Sequence, residues 1–135
     1  MERIWNWIRG AFAAFGGILG WVLGELNGVF YALVAFVVID YITGVIAAAI
    51  RKELNSEVGF KGIAKKIFIF VLVAVAHIVD AQVLGKGEVL RSAVIFFYLS
   101  NEGLSIIENS VHIGLPVPEG LKNALEQLSK EKNHE

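Results

Sequence analysis

Cysteine is absent from this 135-residue chain, which excludes disulfides, thiol chemistry and cysteine metal sites outright. Histidine is scarce: His77, His112 and His134 are widely spaced and form no ligand pattern, so neither a metal nor a cofactor is expected. Charge is sparse too, at 19% of residues against about 25% in typical soluble domains. It nearly cancels, to a formal net of −1, so no large positive field argues for nucleic acid. No Ser-His-Asp order, HExxH motif, glycine-rich phosphate loop or pair of metal ligands occurs; no catalytic residue is assigned and the chain is not expected to be an enzyme. A cleavable signal peptide is not convincing. The segment 1–9 does precede an apolar run, but longer apolar runs follow, so the first reads as a membrane helix.

What the chain has is apolar length. Hydrophobic residues make up 56% of it, where soluble domains hold about 45–50%. A soluble chain this small could not hide so much apolar surface. A crossing needs roughly 17–25 residues at a 1.5 Å rise, and four stretches approach that length: Ala11 to Gly28, Val29 to Ile50, Ile63 to Leu84, and Val89 to Ile107. The first is short and glycine-rich. The expectation is an all-α integral membrane protein with about four transmembrane helices in two hairpins.

Loop charge orients these hairpins. Arg51, Lys52, Lys61, Lys65 and Lys66 crowd between the second and third stretches, and Lys/Arg-rich short loops stay in the cytoplasm. Arg3 and Arg9 precede the first stretch and Lys122, Lys130 and Lys132 follow the fourth, so both termini are expected inside. Pro116 and Pro118 then break the chain. Glu119 to Lys132 reads as a short amphipathic cytoplasmic helix with Leu121, Leu125 and Leu128 on one face. The organisation expected is a transmembrane domain over 1–115 and a polar cytoplasmic tail over 116–135.

Three patterns carry functional information. Gly16, Gly20, Gly24 and Gly28 recur every fourth residue, a spacing that lets helix backbones touch in lipid; a mobile helix at the membrane surface is the alternative. Asp40 lies near the middle of its stretch, where an aspartate costs roughly 2.5–3.5 kcal/mol. It shares a face with Gly44 and Ala48, and Thr43 is close by. It either lines a functional path or pins packing. Counted from the outer ends, Asp40 and Glu102 fall within one helical turn in depth, with Asn101, Ser105, Glu108 and Asn109 extending the polar side of the fourth helix. No Lys or Arg is expected in that turn, so one or both carboxyls should be neutral when dry. This polar side suits a water-lined lumen, or an interfacial helix from about Ser100 onward. His77 and Asp80, three apart, resemble a proton relay, with a local hydrogen bond between them as the simpler reading.

Several segments together resemble one family. Asp40-Tyr-Ile-Thr-Gly44, Leu54-Asn-Ser56, Val58 to Lys66, the helix ending at Asp80, the run Phe96 to Asn109, and Gly114-Leu-Pro-Val-Pro118 are similar in order and spacing to the toxin-secretion and phage-lysis holins. The match runs from about Val29 to Leu128 and leaves the glycine-rich first stretch outside. The resemblance implies accumulation in a bacterial cytoplasmic membrane, self-assembly into a homo-oligomer, and opening of lesions that release an endolysin or a large toxin. That cargo is a functional partner without necessary direct contact; the lipid bilayer and other copies of the chain are the physical partners. Asp40, Thr43, Gly44, Ser56, Gly62, Lys66, Asp80, Glu102 and Asn109 match the family pattern. Two other classes stand beside this reading. One is a small channel or transporter subunit using Asp40, Glu102 and the His77–Asp80 pair, and the other a non-lytic membrane regulator or scaffold, an antiholin included.

Overall fold

A computed structural model describes residues 1–133; His134 lies outside them. The described residues hold five α-helices and no strand: α1 (Glu2–Leu23), α2 (Gly28–Ile50), α3 (Ser56–Ile78), α4 (Val89–Ile113) and α5 (Glu119–Asn133). A π turn over Val79–Val83 extends α3. Side-chain caps set the starts of α2 and α3. Asn27 accepts from the Phe30 amide at 3.1 Å and Asn55 from the Val58 amide at 2.8 Å, each satisfying an otherwise orphaned helix donor. Gly114, with φ +99°, ends α4 in the left-handed conformation that glycine adopts without Cβ strain.

The bounds of α2 and α5 and the start of α4 lie close to the expected ones, α4 runs on to Ile113 instead of ending at Ile107, and two further stretches differ. The first helix begins at Glu2 and ends at Leu23, not over 11–28. Gly24 terminates it with φ +83°. The glycine stripe is therefore not one helical face: Gly16 and Gly20 lie in α1, Gly24 forms the turn and Gly28 opens α2. The third helix begins seven residues earlier than expected, at Ser56, so Lys61, Lys65 and Lys66 are helical and not loop residues.

Helices α2, α3 and α4 form the bundle, around a core of Phe30, Leu33, Val37, Ile69, Val73 and Ile95. Among the described residues two helices are long and apolar enough to cross a membrane: α2, and α3 with its π turn (Ser56–Val83). Their outer surfaces are apolar as well: Tyr31, Ile42, Ile46, Phe68 and Val75 are all exposed, an arrangement that water penalises and lipid does not. The protein is a membrane protein by this measure. Helix α5 folds back on α4, and Leu125 seats against Gly103, where an added Cβ would meet its methyls at 3.0 Å and Phe36 at 3.2 Å. Leu121 and Leu128, on the same face of α5, remain exposed.

Candidate functional site

The bundle encloses a charged cluster. Lys66, on α3, donates to Asp40 Oδ2 of α2 at 2.6 Å and to Glu102 Oε2 of α4 at 2.7 Å. The side chains retain only 17%, 8% and 10% of their exposure. One ammonium thus joins all three helices. Asn109 Nδ2 adds bonds to Asp40 Oδ1 at 2.8 Å and to Thr43 Oγ1 at 2.9 Å, while the Thr43 hydroxyl donates to the Ile39 carbonyl at 2.8 Å. Burial of ions is tolerated only with such pairing.

This overturns the expectation that no cation lies beside the two carboxyls. Lys66 appeared to belong to the basic loop. Its place was nonetheless written in the helical period: Ile69, Val73, Ala76 and Asp80 are the buried side of α3, and Lys66 continues that stripe one turn earlier. Lys65, its neighbour, is exposed, as are Arg51, Lys52 and Lys61.

A cleft of about 200 Å³ opens beside the cluster, lined by Asp40, Gly44, Ala48, Lys66, Ser105 and Asn109. Tyr41 projects into the same region, and a Cβ at Gly59 or Gly62 would sit 3.6–3.7 Å from its ring or hydroxyl. A Cβ at Gly44 would meet Asn109 Nδ2 at 3.6 Å, an ordinary contact. Asn101 and Glu108 face away from the bundle and are exposed. The fourth helix therefore divides its polar residues: Glu102 and Asn109 turn to the cluster, Asn101 and Glu108 turn outward.

A second polar layer closes the other end of the core. Asp80 is fully buried, and its carboxylate accepts from the Leu90 and Arg91 amides at 3.1 and 2.8 Å, capping the start of α4 from a distance. Arg91, 1% exposed, sends its guanidinium to the carbonyls of Leu23, at 2.7 Å, and Glu25, where α1 ends. It also lies 5.8 Å from the Phe30 ring centroid. His77 Nδ1 is buried with no partner. Asp80 thus bonds to main-chain amides, and the expected His77–Asp80 hydrogen bond through Nδ1 does not form. Sequence reasoning assigned Arg91 no such role.

The two layers are close. Lys66 and His77 are eleven residues apart on α3, as are Arg91 and Glu102 on α4, which is about 16 Å along a helix. The dry core between them is about half the thickness of a bilayer's hydrocarbon, roughly 30 Å. Among the described residues no group of three His, Cys, Asp or Glu side chains could hold a metal ion.

Comparison with known proteins fits this architecture. The model of the Bacteriophage holin family matches residues 17–130. An uncharacterized protein of Listeria monocytogenes is 52% identical over 82% of this chain and 79% of its own length. A 14.9 kDa protein encoded in the nagH 3′ region of Clostridium perfringens is 39% identical over 98% of this chain and all of its own. A probable holin of Bacillus phage phi105 is 38% identical over 71% of this chain and 70% of its own. No solved structure matches.

Proposed function

This chain belongs to the bacteriophage holin family, and from that premise we propose that it assembles with copies of itself in a bacterial cytoplasmic membrane and opens lesions there. The lesions pass an endolysin to the cell wall, or a large toxin to the medium. No ligand or cofactor is needed. The observation that carries the mechanism is the Lys66 ammonium held between Asp40 and Glu102. It ties α2, α3 and α4 into one closed bundle, and each of these ions has water as an alternative partner once the helices part. Because only about 16 Å of dry core separates this cluster from the Arg91 layer, parting of the three helices at the cluster opens a short apolar seam that ends on that second layer.

The basic residues Arg51, Lys52, Lys61 and Lys65 support a cytoplasmic α2–α3 corner, with the α4–α5 turn on the same side. Whether α1 crosses decides the side of the N-terminus. A buried charge moving in the membrane field changes energy by about 2.3 kcal/mol per 100 mV, so loss of membrane potential is a physical trigger for opening.

The test is induced expression in a bacterium beside a co-expressed cytoplasmic endolysin. The expected result is abrupt arrest, collapse of membrane potential and appearance of endolysin activity outside. Ion flux without endolysin release assigns a channel subunit; neither effect, at confirmed membrane levels, assigns a non-lytic regulator.

A further inference from the structure

Helix α1 is the one long element that the bundle leaves uncovered. None of its residues is buried. Among the described residues it has contacts with α3 and none with α2, although a hairpin of two crossing helices would pack α1 along α2. A Cβ at Gly10, Gly16, Gly17 or Gly20 would meet nothing within 4 Å. Only its end is held. Leu23 packs on the core, Gly24 sits against His77 and Arg91, and the Arg91 guanidinium binds the carbonyls of Leu23 and Glu25.

The helix also has two unlike sides. Trp5, Ile8, Phe12, Phe15, Leu19 and Val22 recur at intervals of three and four, forming one broad apolar face. Glu2, Asn6, Arg9, Ala13, Gly16 and Gly20 recur in the same way on another, with Arg3, Gly10 and Gly17 beside them. A crossing helix bathed in lipid is apolar all round. A helix with one broad apolar face, and charge and uncovered glycine backbone on the other, fits the plane of the interface. All three tryptophans of the chain, Trp5, Trp7 and Trp21, lie on α1 and are exposed, and tryptophan favours the membrane–water boundary. Neither α1 nor α4 is among the helices long and apolar enough to cross by themselves; α4 is packed on α2 and α3 within the bundle, whereas no residue of α1 is buried.

We propose that α1 is an interfacial helix whose partner is the lipid surface: it lies in the plane of the membrane with its aromatic face in the acyl boundary and its glycine face in water. Arg91 and the Gly24 turn fix it to the end of the bundle from which α2 enters the membrane. With the α2–α3 corner in the cytoplasm, α1 rests on the outer leaflet, the chain crosses three times through α2, α3 and α4, and the N-terminus is outside. The leaflet rests on the orientation proposed above; the in-plane placement does not.

The chain has no cysteine, so single-cysteine variants read the placement directly. Asn6→Cys, Ala13→Cys, Phe12→Cys and Phe15→Cys are treated with a membrane-impermeant maleimide in intact cells, before membrane potential falls, and again in opened cells. Asn6→Cys and Ala13→Cys should label in intact cells, and Phe12→Cys and Phe15→Cys should lose that labelling. Ala13→Cys protected in both preparations, with Asn6→Cys labelled only in opened cells, would overturn the proposal and make α1 a crossing helix. Uniform labelling at all four positions would overturn it also, by removing α1 from the membrane. Ser56→Cys is the control for orientation: its labelling in intact cells reverses the leaflet, and leaves the contrast between Ala13 and Phe12 to be read independently. Read before the potential falls, the pattern is the same whether or not the chain goes on to open lesions.

Discussion

Lys66→Met removes the ammonium while keeping most of the apolar stem, and leaves Asp40 and Glu102 facing each other inside the bundle. Both carboxylates reach Lys66 within 2.7 Å and both are at least nine-tenths buried. Breaking a buried pair by deleting one partner costs about 3–5 kcal/mol, and the residual bond from Asn109 serves Asp40 alone. At about 1.4 kcal/mol per tenfold, the closed bundle loses roughly two to three and a half decades of its equilibrium. That is a large share of the about 5–15 kcal/mol that holds a domain together. Two assays read it: the thermal midpoint of helicity in detergent should fall, and in cells the interval from induction to loss of membrane potential should shorten at equal protein level. Glu102→Gln changes the charge of the cluster the other way. With all three groups ionised the cluster carries one net negative charge, and the amide leaves Lys66 and Asp40 paired one to one. Its midpoint should fall far less than that of Lys66→Met, and its opening should come later than in the parent chain. The double variant should be less perturbed than the sum of the two, because the residues share one interaction. An unchanged midpoint and opening time in Lys66→Met, or strict additivity in the pair, would refute the three-helix tie.

Gly24→Ala meets two obstacles at once. The backbone has φ +83° and ψ −164°, a region essentially reserved for glycine at about 1–3 kcal/mol, and the new Cβ would lie 2.7 Å from His77 Nδ1 and 2.8 Å from Arg91 Nε. The thermal midpoint in detergent should fall, and the 23–27 turn should become sensitive to protease; a midpoint equal to the parent's refutes the clamp. Gly103→Val should lift α5 from α4, since Leu125 and Phe36 already stand at 3.0–3.2 Å from where a Cβ would be. Overpacking of this kind costs about 1–3 kcal/mol. Faster proteolysis of the tail, reversed by adding Leu125→Ala, is the expected result, and unaltered proteolysis contradicts the docked hairpin.

How much of this was legible in the sequence differs from element to element, for physical reasons. Helices α2 and α4 start where their apolar runs start, since each run is bounded by glycine, asparagine or charge. The start of α1 was not visible to an apolar count, because Glu2, Arg3, Asn6 and Arg9 are helical yet polar. Its end was misplaced because a four-residue glycine spacing continues through the turn at Gly24, where the backbone leaves the helix. Counting residues from the outer ends brought Asp40 and Glu102 to similar levels, and the structure joins both to one ammonium. The ammonium itself was hidden by its neighbours: Lys61 and Lys65 are solvent-facing, and charge counting treats Lys66 as a third member of their group. Only the stripe Lys66, Ile69, Val73, Ala76 and Asp80 separates it from them. Arg91 escaped notice for a related reason. Its partners are main-chain carbonyls of residues 23 and 25, and carbonyls leave no mark in a sequence.

The two polar layers differ in what they bond, and that difference decides which of them can open. Asp80 and Arg91 satisfy main-chain groups at helix ends: two amides at the start of α4 and two carbonyls where α1 stops. Those groups belong to the backbone and need partners in every state of the chain, and in hydrocarbon each one left alone costs several kcal/mol. Lys66, Asp40 and Glu102 bond mainly to one another through side chains. When water reaches them, each exchanges a protein partner for a solvent one without orphaning any helix end. The Arg91 layer is therefore built to persist and the Lys66 layer to be exchanged. A bundle that parts does so from the Lys66 end, with α4 still fastened to the end of α3 by Asp80 and to the end of α1 by Arg91.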